Sequence, residues 1–180
     1  MATITAFVRR RDGLTNAVTI IEGDVTDAAA VRAAMTGDAI VSTLGGGSPK
    51  SPGSAQSTGT ANLVEAARTA GIRRILAVAG AGVLQADATR LRNEAPGYPP
   101  FLAAVSREHT AAYHSLRDSG LDWTLVCCPD IPEGPPGLVV ARADYLPEGS
   151  GRVTTGAVAA FLLSELEAAR FLRTRVGING

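Results

Sequence analysis

Aromatic residues make up only 4% of this 180-residue chain, so its core has to be built from small and branched aliphatic side chains. Surplus charge is missing too. Seventeen basic residues are cancelled by seventeen acidic ones, which argues against a nucleic-acid or polyanion-binding surface. Cysteine is almost absent. The adjacent pair Cys127-Cys128 offers neither a disulfide framework nor the spacing of a metal site, and it suits a reduced, cytoplasmic compartment. The early apolar run ends at Arg9, far too short for a signal peptide or membrane span, so no membrane association is expected. The expectation is a soluble intracellular protein with residues 1–180 forming one domain, long enough to bury a sizeable core.

What the chain does have is glycine in telling places. Ile40-Val41-Ser42-Thr43-Leu44 runs directly into Gly45-Gly46-Gly47. A β-branched apolar run ending in three glycines is how a buried strand enters a loop where backbone approaches a ligand closely. In an α/β protein such a strand–loop–helix passage is the usual place for a nucleotide.

Hydrophobic periodicity predicts strands at Thr3–Val8, Ala17–Ile21, Ala39–Ser42, Arg74–Val78 and Trp123–Cys127, with shorter ones at Leu138–Ala141 and Phe171–Val176. Helices are predicted over Asp27–Met35 with Thr26 as cap, Thr60–Ala70 closed by Gly71, Arg107–Ser119 closed by Gly120, and from Thr154 or Thr155 to Leu166. The Ser/Pro/Gly-rich segment 48–57 reads as a surface loop. Alternating strands and helices imply βαβ units in a parallel sheet, a Rossmann-like doubly wound α/β fold with ligand sites at the carboxyl ends of the strands.

Six motifs in order carry a resemblance: FVRR (Phe7–Arg10), EGDVTD (Glu22–Asp27), STLGGG (Ser42–Gly47), the segment from Ala61 to Gly82, the segment from Arg107 to Ile131, and GRVTTGAVAAFLL (Gly151–Leu163). In this order and spacing the chain resembles the atypical short-chain dehydrogenase/reductases, and within them the NAD(P)H-binding, NmrA-like group that includes flavin reductase, or biliverdin-IXβ reductase. That resemblance implies a Rossmann-like sheet binding NADP, or NAD, with a small-molecule substrate such as a flavin (FMN or FAD) or a tetrapyrrole.

One departure is large. Members of that group begin with a strand, a G-x-x-G-x-x-G loop and a helix, and this chain begins at what would be their second strand. The fold is therefore expected to lack its first βα unit, and with it the central strand of a 3-2-1-4-5-6 sheet. Either the first strand here slides beside the Ala39–Ser42 strand, or the recorded sequence lacks its true N-terminus. Closure to a sheet ordered 2-1-3-4-5 is the expected outcome. An exposed edge can also favour association, so a monomer or a weak homodimer is expected.

Arg9 and Arg10 follow the strand where NAD-preferring enzymes place an acid for the ribose hydroxyls, and a guanidinium fork there suits a 2′-phosphate. Composition alone would make them a solvated basic turn. By resemblance, Asp24 and Val25 meet the adenine, although Asp after a strand is also a common turn or cap residue. Thr43, Leu44, Gly45 and Gly46 match the loop under the nicotinamide half, Gly80 lies in the small-residue loop after the fourth strand, and Pro129 matches a strand-end proline that shapes the nicotinamide pocket. His109 shares a helix face with Ala112, Tyr113 and Leu116, so it faces the sheet; the resemblance puts it at the active-site rim as the proton donor or substrate contact, and residue type alone makes it a structural histidine. His114 should be exposed. Tyr113 is followed by Arg117 rather than a lysine at i+4, and Ala79-Gly80 replaces the usual hydroxyl position, so no Ser-Tyr-Lys machinery is visible. The two cysteines read as buried filler and no metal site is expected.

Two functions follow. One is an NAD(P)H-dependent oxidoreductase passing hydride to a flavin, biliverdin or similar conjugated acceptor, with His109 catalytic. The other is a non-catalytic NAD(P)-binding sensor or degenerate relative.

Overall fold

Strands β1 (Thr5–Val8) and β2 (Thr19–Glu22) pair in parallel with each other and with no other described strand. Helix α1 (Ala28–Ala34) leads from them to β3 (Ala39–Ser42), the first strand of a separate five-stranded sheet. That sheet also contains β4 (Arg74–Gly80), β5 (Asp122–Cys128), β6 (Val140–Ala143) and β7 (Thr174–Asn179), in the order β3-β4-β5-β7-β6, with only β6 antiparallel. Helices α2 (Ser57–Ala70), α3 (Ala103–Arg117) and α4 (Thr155–Ala168) complete the three layers. The computed structural model describes residues 3–11, 18–45 and 47–180.

Alternation along the strands separates two cores. Ile75, Ala77 and Ala79 of β4, with Trp123 and Leu125 of β5, face Leu63 and Ala67 of α2 and Leu116 of α3. Leu76, Val126 and Val176 face the other way, onto Val158, Phe161 and Leu162 of α4. A strand buried on both faces needs an almost continuous apolar run, and RILAV and WTLVC supply it. Each fully buried Leu, Ile or Val contributes about 1.5–3 kcal/mol by leaving water.

The predicted closure to a 2-1-3-4-5 sheet is overturned. β1 does not slide against β3; a cavity of about 600 Å³ separates them, lined by both strands. Four-residue β1 is already saturated on one edge by β2, with the Ile4 and Val8 carbonyls accepting from Thr19 (3.1 Å) and Gly23 (2.9 Å). Moving it would also pull apart the loop after β2 from α2, where Asn62 Nδ2 donates to the Val25 carbonyl at 2.9 Å. A side chain at Gly59 would strike both Val25 and Leu44, so the residues just past the carboxyl ends of β2 and β3 lie close together.

Element existence follows the sequence patterning, and boundaries shift where a distant partner intervenes. α2 starts at Ser57 rather than Thr60, because Ser57 donates through both its backbone N–H (3.2 Å) and its hydroxyl (2.6 Å) to the Glu108 carboxylate of α3. Asp27, not Thr26, caps α1, accepting from Ala29 and Ala30. Thr26 instead donates to Asp24. β4 continues through Gly80, α3 begins at Ala103, and β6 and β7 each start two to three residues later than predicted, at Val140 and Thr174. The Ala17 end of the predicted second strand lies outside the described residues.

Candidate cofactor site

The carboxyl ends of the parallel strands bring six sequence-predicted residues around one cavity: Arg9, Asp24, Val25, Thr43, Leu44 and Gly45. Arg9 and Arg10, just past the end of β1, are both exposed, and Arg9 borders the cavity. Arg11 turns back to Glu22 at 2.8 Å, which binds the basic turn to β2. Gly46 lies outside the described residues.

Asp24 is held ready rather than free. Its Oδ1 accepts from the backbone N–H of Thr26 at 2.8 Å and from its hydroxyl at 2.7 Å, and these bonds keep the carboxyl below the usual carboxylate range, with the Arg9 charge adding to them. Val25 is half-buried, its carbonyl fixed by Asn62. The β3 loop is braced from below by Gln56, whose Nε2 donates to the carbonyls of Leu44 and, at 3.2 Å, Val78. Gln56 therefore ties the end of β3 to β4 through a single buried amide. A Cβ built on Gly45 meets nothing within 4 Å, so the space above this loop is open.

His109 and Gly80 form a second cluster, on the neighbouring strand. The Gly80 N–H donates to His109 Nδ1 at 3.0 Å, which places the neutral imidazole's proton on Nε2. Burial holds the His109 pKa below its ordinary value of 6.5, opposed by the Glu108 charge. Gly80 pairs with Cys128 across β4 and β5, so half-buried Pro129 follows directly beside this cluster. Gly80, His109 and Pro129 are not among the residues lining the β1–β3 cavity. The sequence-predicted residues thus fall into two groups along one rim.

Two consequences are measurable. A methyl at Gly80 would sit 2.9 Å from His109 Nδ1 and 3.1 Å from Cε1, so Gly80→Ala must displace the ring. We expect about 1–3 kcal/mol of lost stability, read from the urea midpoint. Acid should destabilise the fold through the same histidine. Well above pH 6.5 the imidazole is neutral in both folded and unfolded states and contributes no slope. Below it the unfolded chain binds the proton that the folded site resists, so stability falls as pH falls until the folded site titrates too. His109→Asn keeps an acceptor for Gly80 and should flatten the stability profile between pH 6.5 and 5; an unchanged slope would place the titration elsewhere.

The remaining candidates behave as packing. His114 is exposed. The Tyr113 ring lies edge-on to Trp123 at 6.0 Å and beneath the Arg175 guanidinium at 4.7 Å, with Arg117 at 5.8 Å, so it belongs to a stacked cluster. Burial raises the Cys127 thiol well above its ordinary range and pushes Cys128 up to about 12, so both are inert fillers. No cluster of metal-ligating side chains occurs among the described residues, and no helix among them is long and apolar enough to cross a membrane.

Sequence reasoning missed Gln56, Asn62 and Glu108. Gln56 sits in a stretch whose Ser/Pro content masked the helix start, and partners 37 to 51 residues distant define Asn62 and Glu108. No local signal could have found those two.

Residues 1–169 match the family model for NAD(P)H-binding, and the chain belongs to that family. Among solved structures it is similar to a candidate NADH-flavin reductase from Streptococcus pneumoniae, at 22% identity and a TM-score of 0.79, covering 97% of this chain and 85% of that one. ChuY, an anaerobilin reductase from Escherichia coli O157:H7, matches at 23% identity and a TM-score of 0.76, over 98% and 84%. A short-chain dehydrogenase/reductase from Veillonella parvula, solved with NADP, matches at 21% and 0.73, over 98% and 82%. Together these likenesses show a Rossmann-like fold, and the family match makes it an NAD(P)H-binding one.

Proposed function

We propose that residues 1–180 form one cofactor-binding domain of a cytoplasmic NADPH-dependent reductase whose acceptor is a flavin, a biliverdin or a similar conjugated molecule. The observation that carries the reading is the grouping of Arg9, Asp24, Val25 and the Thr43–Gly45 loop around one cavity at the strand ends. An exposed guanidinium fits a 2′-phosphate, an oriented carboxylate fits an adenine amino group, and open backbone at Gly45 leaves room for the nicotinamide half. The chain supplies residues for both ends of the dinucleotide, and no G-x-x-G-x-x-G loop for its pyrophosphate.

When bound, the cofactor supplies hydride. The protein's own part is to hold donor and acceptor in register and to limit water at the strand ends. His109 offers a hydrogen-bond donor at Nε2, with its ring direction fixed by the Gly80 N–H. Its lowered pKa keeps the ring neutral at pH 7, so His109 positions an acceptor or relays a proton from solvent rather than delivering one from an imidazolium.

A second reading, a cofactor sensor without turnover, is favoured by one observation: Tyr113 is engaged in the Trp123–Arg175 stack and has no lysine partner. NADPH titration followed by NADPH oxidation with FMN or biliverdin separates the two. Binding with oxidation supports the reductase, binding without oxidation leaves the sensor, and no binding at millimolar NADPH rejects both.

A further inference from the structure

We propose that Glu108 is a positioning residue for hydride transfer: through Ser57 it fixes helix α3, and with it His109, relative to the loop that takes the nicotinamide half. The inference rests on the reductase reading for the roles of His109 and of the Thr43–Gly45 loop. What carries it is a closed circuit of hydrogen bonds that begins and ends on β4. Gln56 Nε2 donates to the Val78 carbonyl at 3.2 Å and also to the Leu44 carbonyl. The next residue, Ser57, donates through its backbone N–H at 3.2 Å and its hydroxyl at 2.6 Å to Glu108 Oε2. After Glu108 comes His109, whose Nδ1 accepts from the Gly80 N–H at 3.0 Å. Val78 and Gly80 lie two residues apart on β4, so the circuit closes, and its one branch ends on Leu44, beside Gly45.

The Ser57–Glu108 link has no substitute in the circuit. Gln56 stands at the N-cap of α2 and makes no capping bond there. The Ser57 N–H is satisfied instead by a half-buried carboxylate from another helix, at the positive end of α2. Ser106 and Thr110 of α3 bond to Tyr98 and Asn93, in the segment leading into α3 itself. Among the described residues, Glu108 alone joins α3 to α2 by a side-chain hydrogen bond.

Two anchors on different bearings hold a helix where one leaves a pivot. Consecutive residues of an α-helix point about 100° apart, so Glu108 reaches α2 while His109 reaches the end of β4. With the Gly80 bond alone, α3 is left to turn about it. A side-chain tip about 6 Å from the helix axis travels about 1 Å for a turn of about 10°. A misplacement of about 1 Å costs up to about a hundredfold in rate. Cutting the Ser57 link therefore spoils the register of donor and acceptor, and it leaves the groups that hold the dinucleotide in place.

The test compares Glu108→Ala, which removes the acceptor, with Glu108→Gln, whose amide oxygen still accepts from Ser57. In Glu108→Ala, kcat for NADPH oxidation with FMN or biliverdin should fall about ten- to a hundredfold while the Kd for NADPH stays within about threefold. The Gly80 amide, followed by hydrogen exchange without NADPH, should exchange at least about tenfold faster. Glu108→Gln should bring both back to within about threefold of the unaltered protein. An unchanged kcat or an unchanged Gly80 exchange in Glu108→Ala would overturn the proposal. So would a loss confined to NADPH affinity, or one that Glu108→Gln does not restore. If Glu108→Ala does not fold, Ser57→Ala removes the hydroxyl bond alone and should show both changes at about three- to tenfold; no change there overturns the proposal equally. If the unaltered protein oxidises no NADPH, the reductase reading fails by itself. Faster Gly80 exchange in Glu108→Ala then still supports the clamp on His109, and unchanged exchange overturns it.

Discussion

Replacing Arg9 with glutamate is expected to weaken NADPH binding by roughly ten- to a hundredfold and leave the affinity for NADH within a few-fold. Hydrogen bonds to charged groups contribute about 1.5–3 kcal/mol, and each 1.4 kcal/mol is about tenfold in affinity. The guanidinium projects from the end of β1 into solvent, so its removal disturbs no core contact. Its field does act on Asp24, a second cofactor candidate, and losing it affects both dinucleotides alike. The informative quantity is therefore the ratio of NADPH to NADH dissociation constants, measured by fluorescence titration. An equal loss for both would remove Arg9 from the 2′-phosphate position and leave it as a general source of positive charge.

The second large effect lies far from the strand ends. Glu165 is fully buried in α4, where Oε1 accepts from the Phe171 N–H at 2.8 Å and meets the Arg74 guanidinium at 3.4 Å, and Oε2 faces Arg170 at 3.5 Å. Arg74 enters the same region from the start of β4, donating to the Asp122 carbonyl and to Thr124. Burial lowers the Arg74 pKa and the Glu165 charge opposes that shift. Glu165→Ala removes the countercharge and an acceptor together, and breaking a buried pair in this way costs about 3–5 kcal/mol. Urea denaturation should show it as a lower midpoint with an unchanged slope. The double variant Glu165→Leu with Arg74→Met should recover much of the loss, because the one charge left without its partner, on Arg170, is exposed; a double variant as unstable as the single one would mean that packing, not charge, holds α4 there.

How far the sequence could be read depends on the range of the interaction involved. RILAV and WTLVC are apolar but for Arg74 and Thr124 because they are buried on both faces, and their strands and the surrounding α/β layering could be foreseen from that pattern. Gly71 at φ 76° ends α2 as its position suggested. The candidate site was legible where a strand end carried an unusual residue, as at Arg9, Asp24 and Gly45. It was not legible where the determinant is a long-range bond. Glu108 moves the start of α2 by three residues, and Gln56 braces the β3 loop from within a loop-like composition. The sheet order failed for a related reason: hydrophobic patterning states that β1 wants partners, and it cannot say whether β2 alone suffices.

The separation of the two sheets also has a consequence for cooperativity. β1 and β2 share a ladder only with each other, and the turns at their carboxyl ends carry Arg9, Asp24 and Val25. Such a two-stranded unit is expected to open at a lower free energy than the β3–β7 sheet, since only α1, the Asn62 bond and the packing of Phe7 and Val25 on the core are described as tying it to the remainder. A molecule held by Arg9 and Asp24 therefore first stabilises the weaker unit, and part of its binding energy is consumed in suppressing that local opening. A melting temperature, which follows the rupture of the larger sheet, would understate the affinity of such a ligand; amide exchange in β1 and β2 would report it in full.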